Sequence, residues 1–297
     1  MVSDAQVATT SVLDDGYWEL SPGETKRVIF TVNNFASVQD IFETELVIRD
    51  LNGWTISQTL PETLYVNSGK SATFGAIFTA PQTAQYEDSS PKFSPVVTSI
   101  RSGDSFTGPE VDNFRISKQS DLLIRSDETT HMVKPGSENF IPLILENNGN
   151  GADIALISVD NLPNQWQYKI TDDSGVEIQQ IPLSAIYNLE DIVDVNLVLV
   201  PPQGIDADIE FTISASISAL DGSEDFEPDD NIIELKIITE TVRKITLSNS
   251  TKNQFVGVNN YTYMYSNITN QGNIYEPEIY FKSVISSIGY EKDIPSK

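Results

Sequence analysis

The densest group of side chains with chemical potential is the run Asp221-Gly-Ser-Glu-Asp-Phe-Glu-Pro-Asp-Asp230. It holds six carboxylates in ten residues: Asp221, Glu224, Asp225, Glu227, Asp229 and Asp230. Calcium takes roughly six to eight oxygen ligands, and neighbouring carboxylates can supply them. The spacing is not that of an EF-hand. The loop therefore reads either as an irregular structural calcium site or as the solvated acidic end of a hairpin. Asp104, Glu110 and Asp112 form a thinner counterpart upstream. No other cofactor is called for.

Other reactive side chains are scarce. The chain has no cysteine and one histidine, His131. That excludes disulfides, thiolate catalysis and Cys-based zinc sites, and it leaves no basis for a Ser–His–Asp system or a multi-histidine metal centre. A lone histidine of this kind reads as structural or exposed. Trp18, beside Tyr17, is a candidate for stacking on a sugar ring or a cover for the end of a domain. Three N-glycosylation sequons begin at Asn249, Asn260 and Asn267, all in the last 57 residues. Glycans there would need a surface position outside the cytosol.

The charge balance narrows the partners. The 297 residues carry 43 acids and 18 bases, a net charge of −25. Residues 241–297 hold only four of the acids but six of the bases, so residues 1–240 alone stand at −27. Nucleic acid is excluded, since phosphate binding needs Lys and Arg to displace counterions. An anionic membrane surface is disfavoured for the same reason. No apolar run of about 18 residues is present, so no direct membrane insertion is expected. The N-terminus lacks the basic and apolar regions of a signal peptide.

The elements that must position these residues are strands. Arg27–Val32, Phe140–Leu145, Val195–Val200 and Phe211–Ile217 are β-branched or alternating runs bounded by Gly, Pro, Asn and Asp. No capped helical periodicity is found, apart from a short helical turn expected within 183–192. Landmarks recur in order. Pro22-Gly23 and Pro135-Gly136 each precede a strand, with positive φ expected at the glycine. Trp54 matches Trp166, Pro81 matches Pro202, and Asp112-Asn113 matches Asp230-Asn231. Both tryptophans are expected in the cores of their own units. Asn147-Asn-Gly-Asn150 recurs at Asn270-Gln-Gly-Asn273, and these residues suggest left-handed backbone at a tight connection. Tyr290 falls near the tryptophan position of a third copy.

The reading is all-β: tandem immunoglobulin-like β-sandwiches, two complete and one partial. Units span 1–118, 119–240 and 241–297, joined almost without linker through Gln119 and Ser120. Opening strands of the third unit are expected near Arg243–Leu247, Asn260–Asn267 and Tyr275–Ser283. A half-sandwich leaves apolar surface and strand edges open. The missing half is expected either downstream in a longer chain or from another subunit.

Val133-Lys-Pro-Gly, Glu146-Asn-Asn-Gly-Asn, Asn161-Leu-Pro-Asn-Gln-Trp and Val200-Pro-Pro carry a resemblance. The pattern resembles the Ig-like repeats of prokaryotic, especially archaeal, surface and secreted proteins. The nearest types are the NEW3 (alpha-galactosidase-associated) and CARDB-like modules. The first unit departs from it, with Asn33-Asn34-Phe35 in place of the Asn-x-Gly turn. The resemblance implies a non-catalytic spacer, stalk or adhesive segment of a larger extracellular or cell-surface protein. Its partners would be neighbouring repeats, a surface polysaccharide or another surface protein. The alternative is an accessory carbohydrate-binding or positioning module of a secreted hydrolase.

Overall fold

A computed structural model describes residues 4–9, 16–59, 61–249, 257, 260, 262–280, 282–287 and 290–295. It is all-β. The first ten strands are β1 (Ala5–Thr9), β2 (Trp18–Leu20), β3 (Thr25–Asn34), β4 (Asp40–Asp50), β5 (Thr55–Thr59), β6 (Thr63–Val66), β7 (Ser71–Thr79), β8 (Lys92–Ser99), β9 (Ser105–Thr107) and β10 (Phe114–Ile116). One sheet runs β1-β3-β7-β5 and the other β6-β4-β8-β9, with a parallel pair β10-β2 beside them. Alternation explains the two-layer packing. Val28, Phe30 and Val32 of β3 point inward while their neighbours stay partly exposed. They meet the other sheet through Phe93, whose ring stacks on Phe78 at 4.4 Å between centroids.

The next nine strands are β11 (Leu122–Arg125), β12 (Thr130–Val133), β13 (Asn139–Asn147), β14 (Asp153–Asp160), β15 (Gln167–Thr171), β16 (Ile181–Leu183), β17 (Ile192–Val200), β18 (Glu210–Ala219) and β19 (Ile232–Thr239). Their sheets run β11-β13-β17-β15 and β12-β19-β18-β14-β16. The first sheet repeats β1-β3-β7-β5 strand for strand. In the second, β19 alone pairs with both β12 and β18. The first unit divides those two pairings between β10 and β9. Each unit encloses its own core, one between Val7 and Ile116 and one between Leu122 and Ile237.

Two expectations are corrected. Residues 184–191 form turns between β16 and β17, with no helix. The segment contains Tyr187 and Glu190 at positive φ, a conformation a helix excludes. Pro-Gly does have the expected left-handed glycine, at Gly23 and Gly136, but no residue of Asn147–Asn150 or Asn270–Asn273 has positive φ. Those motifs have a different purpose, set out below.

Among the described residues beyond 240 are two hairpins: β20 (Ile245–Asn249) with β21 (Ser266–Asn270), and β22 (Lys282–Ser287) with β23 (Tyr290–Pro295). The β20–β21 register, Ile245 opposite Asn270, copies β11–β13, where Leu122 lies opposite Asn147. The strand expected over Asn260–Asn267 begins later, at Ser266, and Tyr275–Tyr280 is irregular. Tyr261, Phe281 and Gly289 lie outside the described residues. Leu247 is 61% exposed and Ile268 37%, whereas their counterparts Ile124 and Leu145 are 3% and 0% exposed. Tyr263, Tyr265, Tyr275 and Tyr280 are also exposed.

Candidate functional site at the joints between units

The aromatic candidates are core residues. Trp18 is 2% exposed and packs on Phe114 at 4.9 Å, so its indole face is closed to a sugar. β2 pairs with β10 and carries it inward. Tyr17 stays at the surface, with the Arg115 guanidinium 3.8 Å above its ring. Trp54 touches Phe114 at 5.2 Å, and Trp166 lies against Phe211 at 5.4 Å. His131 sits on β12 with Nε2 2.8 Å from the Glu128 carbonyl, and no second histidine exists to make a metal pair. Asn249, Asn260 and Asn267 are all exposed.

The acidic loop divides into two parts. Asp221 turns to the first joint: its carboxylate caps Ser223 and lies 3.0 Å from Lys118 Nζ. These hydrogen bonds and the Lys118 charge hold the Asp221 carboxyl well below the usual range. Lys118 also pairs with buried Asp153 at 2.5 Å. Burial opposes its charge, but the bonds and charges of both aspartates outweigh that and raise its pKa. Glu224, Glu227 and Asp229 remain in solvent.

Asp225 and Asp230 turn the other way. They converge with Asp121, a residue from just before β11 that lies outside the acidic run, and carboxylate oxygens of the three lie within 4.8 Å of one another. Two contacts bring this about. Asp225 Oδ2 accepts the Leu122 N–H at 2.8 Å, and Ser120 accepts the Phe226 N–H at 2.9 Å. A single 3-10 turn, Pro228–Asp230, then swings Asp230 back. Burial first, then the charges of Asp225, Asp230 and Glu227, push the Asp121 carboxyl up to about 6. Burial, then the charges of Asp225, Glu227 and Asp229, raise Asp230 as well. The oxygens Asp121 Oδ1, Asp230 Oδ1 and Asn231 Oδ1 are buried without a hydrogen-bond partner. A hard cation suits such a donor set.

The joints are the most regular feature. Asn150 donates its N–H to Gln119 O and its side-chain amide to Ser117 O, and it accepts from the N–H of Gln119 and Tyr86. Asn273 repeats all four bonds 123 positions later, to Val242 O, Glu240 O, Val242 N–H and Ala207 N–H. Each Asn thus ties the front of its unit to the linker and to a loop of the unit before. The glycine of the motif makes this approach possible. A Cβ at Gly149 would lie 2.4 Å from Gln119 O, and one at Gly272 2.3 Å from Val242 O. The first asparagine shapes the turn. Asn34, Asn147 and Asn270 each donate to the carbonyl four residues on, and each accepts the N–H two residues on.

No protein-family profile matches the chain, and neither does any curated protein. Among solved structures it is similar to the ASH/PapD-like domain of human CEP192 (PapD-like domain 7), at 15% identity and a TM-score of 0.24, over 42% of this chain and 87% of that one. It is also similar to the sialic acid binding region of a Streptococcus sanguinis SK1 adhesin bound to 3'sLn, at 7% identity and a TM-score of 0.27, over 79% and 77%. Among the described residues no helix is long and apolar enough to cross a membrane.

Proposed function

We propose that this chain is a non-catalytic structural segment of an extracellular or cell-surface protein: a spacer or stalk of abutting Ig-like units, at 1–118, 119–240 and from 241 onward. One observation carries this reading. The four-bond seat of Asn150 on the first linker recurs at Asn273 on the second, so successive units are set in the same way. A tether that only connects domains needs no such repeat, whereas a stalk that must keep reach and direction does. Small-angle scattering of the whole chain tests it. An elongated, semi-rigid particle is expected, and a compact globule or freely tumbling units would reject the reading.

A second reading concerns the cofactor. The buried, unpartnered oxygens of Asp121, Asp230 and Asn231 favour a structural calcium ion held by Asp121, Asp225 and Asp230. The ion would tie the start of β11 to the loop ahead of β19. It would cancel the repulsion among three carboxylates, and no chemistry would be done on it. Calorimetric titration with calcium, with and without Asp225→Asn, tests this assignment.

A further inference from the structure

We propose that the cleft between the second and third units binds an acidic saccharide, one bearing a uronate-type carboxylate. It rests on the joint reading above, since the cleft exists only where Asn273 holds the two units together. It has a volume of about 690 Å³, and its walls include Lys134, Pro135, Gln203, Lys244, Gln271 and Gly272. No carboxylate lines it, whereas four other clefts on the described surface each include at least one. Neither Lys134 nor Lys244 takes part in an ion pair among the described residues.

The first joint serves as an internal control. Its frame is the same: Pro22 for Pro135, Gln82 for Gln203 and Gly149 for Gly272. Gln82 crosses Gly23 as closely as Gln203 crosses Gly136, 2.4 Å from the place of a Cβ in both. The two lysine positions are Ser21 and Asp121 there. The joint thus forms without a lysine at either of these two positions, and its fold does not account for two ammonium groups there in a chain of net charge −25.

Their chemistry points to the ligand. An ammonium is a three-donor point charge suited to a carboxylate. The Gln203 and Gln271 amides offer both donor and acceptor to ring hydroxyls, and the Pro135 ring offers an apolar face to sugar C–H groups. Apart from Asn270, the last residue of β21 and already paired with β20, the walls are turns and linker, so a peptide has no free ladder to join. Two lysines in so acidic a chain are too few for a nucleic acid.

The test is a titration of the isotope-labelled whole chain followed by amide NMR, with tri-galacturonate as probe. Shifts are expected at Gln203, Gly204, Gln271 and Gly272, weakening as salt rises from about 0.05 M to 0.5 M. Lys134→Gln with Lys244→Gln should weaken binding at least about tenfold without moving the melting temperature. Equal binding of neutral maltotriose, preference for a hexaglutamate peptide, or no loss in the double variant would overturn the proposal. Exchange of the Ala207 amide separates the two readings. A protected Ala207 with no binding rejects the ligand alone, and an unprotected Ala207 rejects the joint and the cleft with it.

Discussion

The Asn150 carbonyl accepts the Tyr86 N–H at 2.8 Å across the boundary between the first two units, and the Asn273 carbonyl accepts the Ala207 N–H at 3.0 Å across the next. The joint is therefore a repeated piece of architecture. Removing the Asn150 side chain strands the Ser117 carbonyl and the Gln119 N–H. Asn150→Ala should cost about 1–3 kcal/mol. The loss should be local: hydrogen exchange at Tyr86 should accelerate while Leu143 and Leu197 stay protected. Unchanged exchange at Tyr86 would show that the clamp does not tie the units.

Gly149→Ala should destabilise by about 1–3 kcal/mol, because the new Cβ meets the Gln119 carbonyl backbone rather than a side chain that can move. Gly204→Ala is the control. It has open space, and its cost should stay within about 0.5 kcal/mol. Urea unfolding of both variants decides it, and equal costs would contradict the close approach.

Trp54→Ala and Trp166→Ala should each cost about 3–5 kcal/mol, as deletion of large core aromatics does. Trp54 Nε1 is buried without a partner, so Trp54→Phe removes an unsatisfied donor along with some volume. It should be clearly milder than Trp54→Ala. A loss below about 1 kcal/mol for either alanine variant would place the side chain at the surface.

The acidic cluster predicts a pH dependence of definite sign. Asp121 titrates at about 6 in the folded chain against an ordinary value of 3.8, so the folded state binds more protons in between. Without metal, the contribution of Asp121 to stability should be full below about pH 4 and be lost as pH rises through about 6. Asp230 shifts in the same direction and adds to this. Calcium should restore the loss, raising the melting temperature more near pH 7 than near pH 4.5. Asp230→Asn should stabilise the calcium-free chain near pH 7 and blunt the response to the ion. Melting indifferent to both pH and calcium would leave these groups as ordinary surface charge.

The opening hairpin of the third unit should be the weaker copy. Asn147 also donates to Ser184 O and Asn34 to Val66 O, whereas for Asn270 the described residues show the turn bonds alone. Amides of β21 should exchange much faster than those of β13 in the isolated chain. Equal protection would mean that the hairpin is covered.

Strand character, the paired tryptophans and the recurrence of Pro-Gly were legible in the amino-acid order because each is a local property. Alternation at period two, as in Phe211–Ile217, places side chains on a face without reference to distant residues. Pro and Gly restrict φ within a single turn. The class of tandem sandwiches follows from these local signals in repeated order.

What only the tertiary structure decided depends on which distant segments come together. Asp121 lies just before β11 and outside the acidic run, and 104 positions separate it from Asp225. The hydrogen bonds from Leu122 N–H to Asp225 and from Phe226 N–H to Ser120 make them neighbours. Trp18 read as either a sugar-stacking aromatic or a cover for the end of a domain because the short β2 gives little periodicity, and its burial is set by parallel pairing with β10 nearly one hundred residues away. Asn-x-Gly-Asn looked like a turn that needs left-handed backbone, yet its glycine is there so that another unit's linker can cross it. A residue's φ preference is intrinsic to it, but the space beside its Cα belongs to whatever the fold brings there.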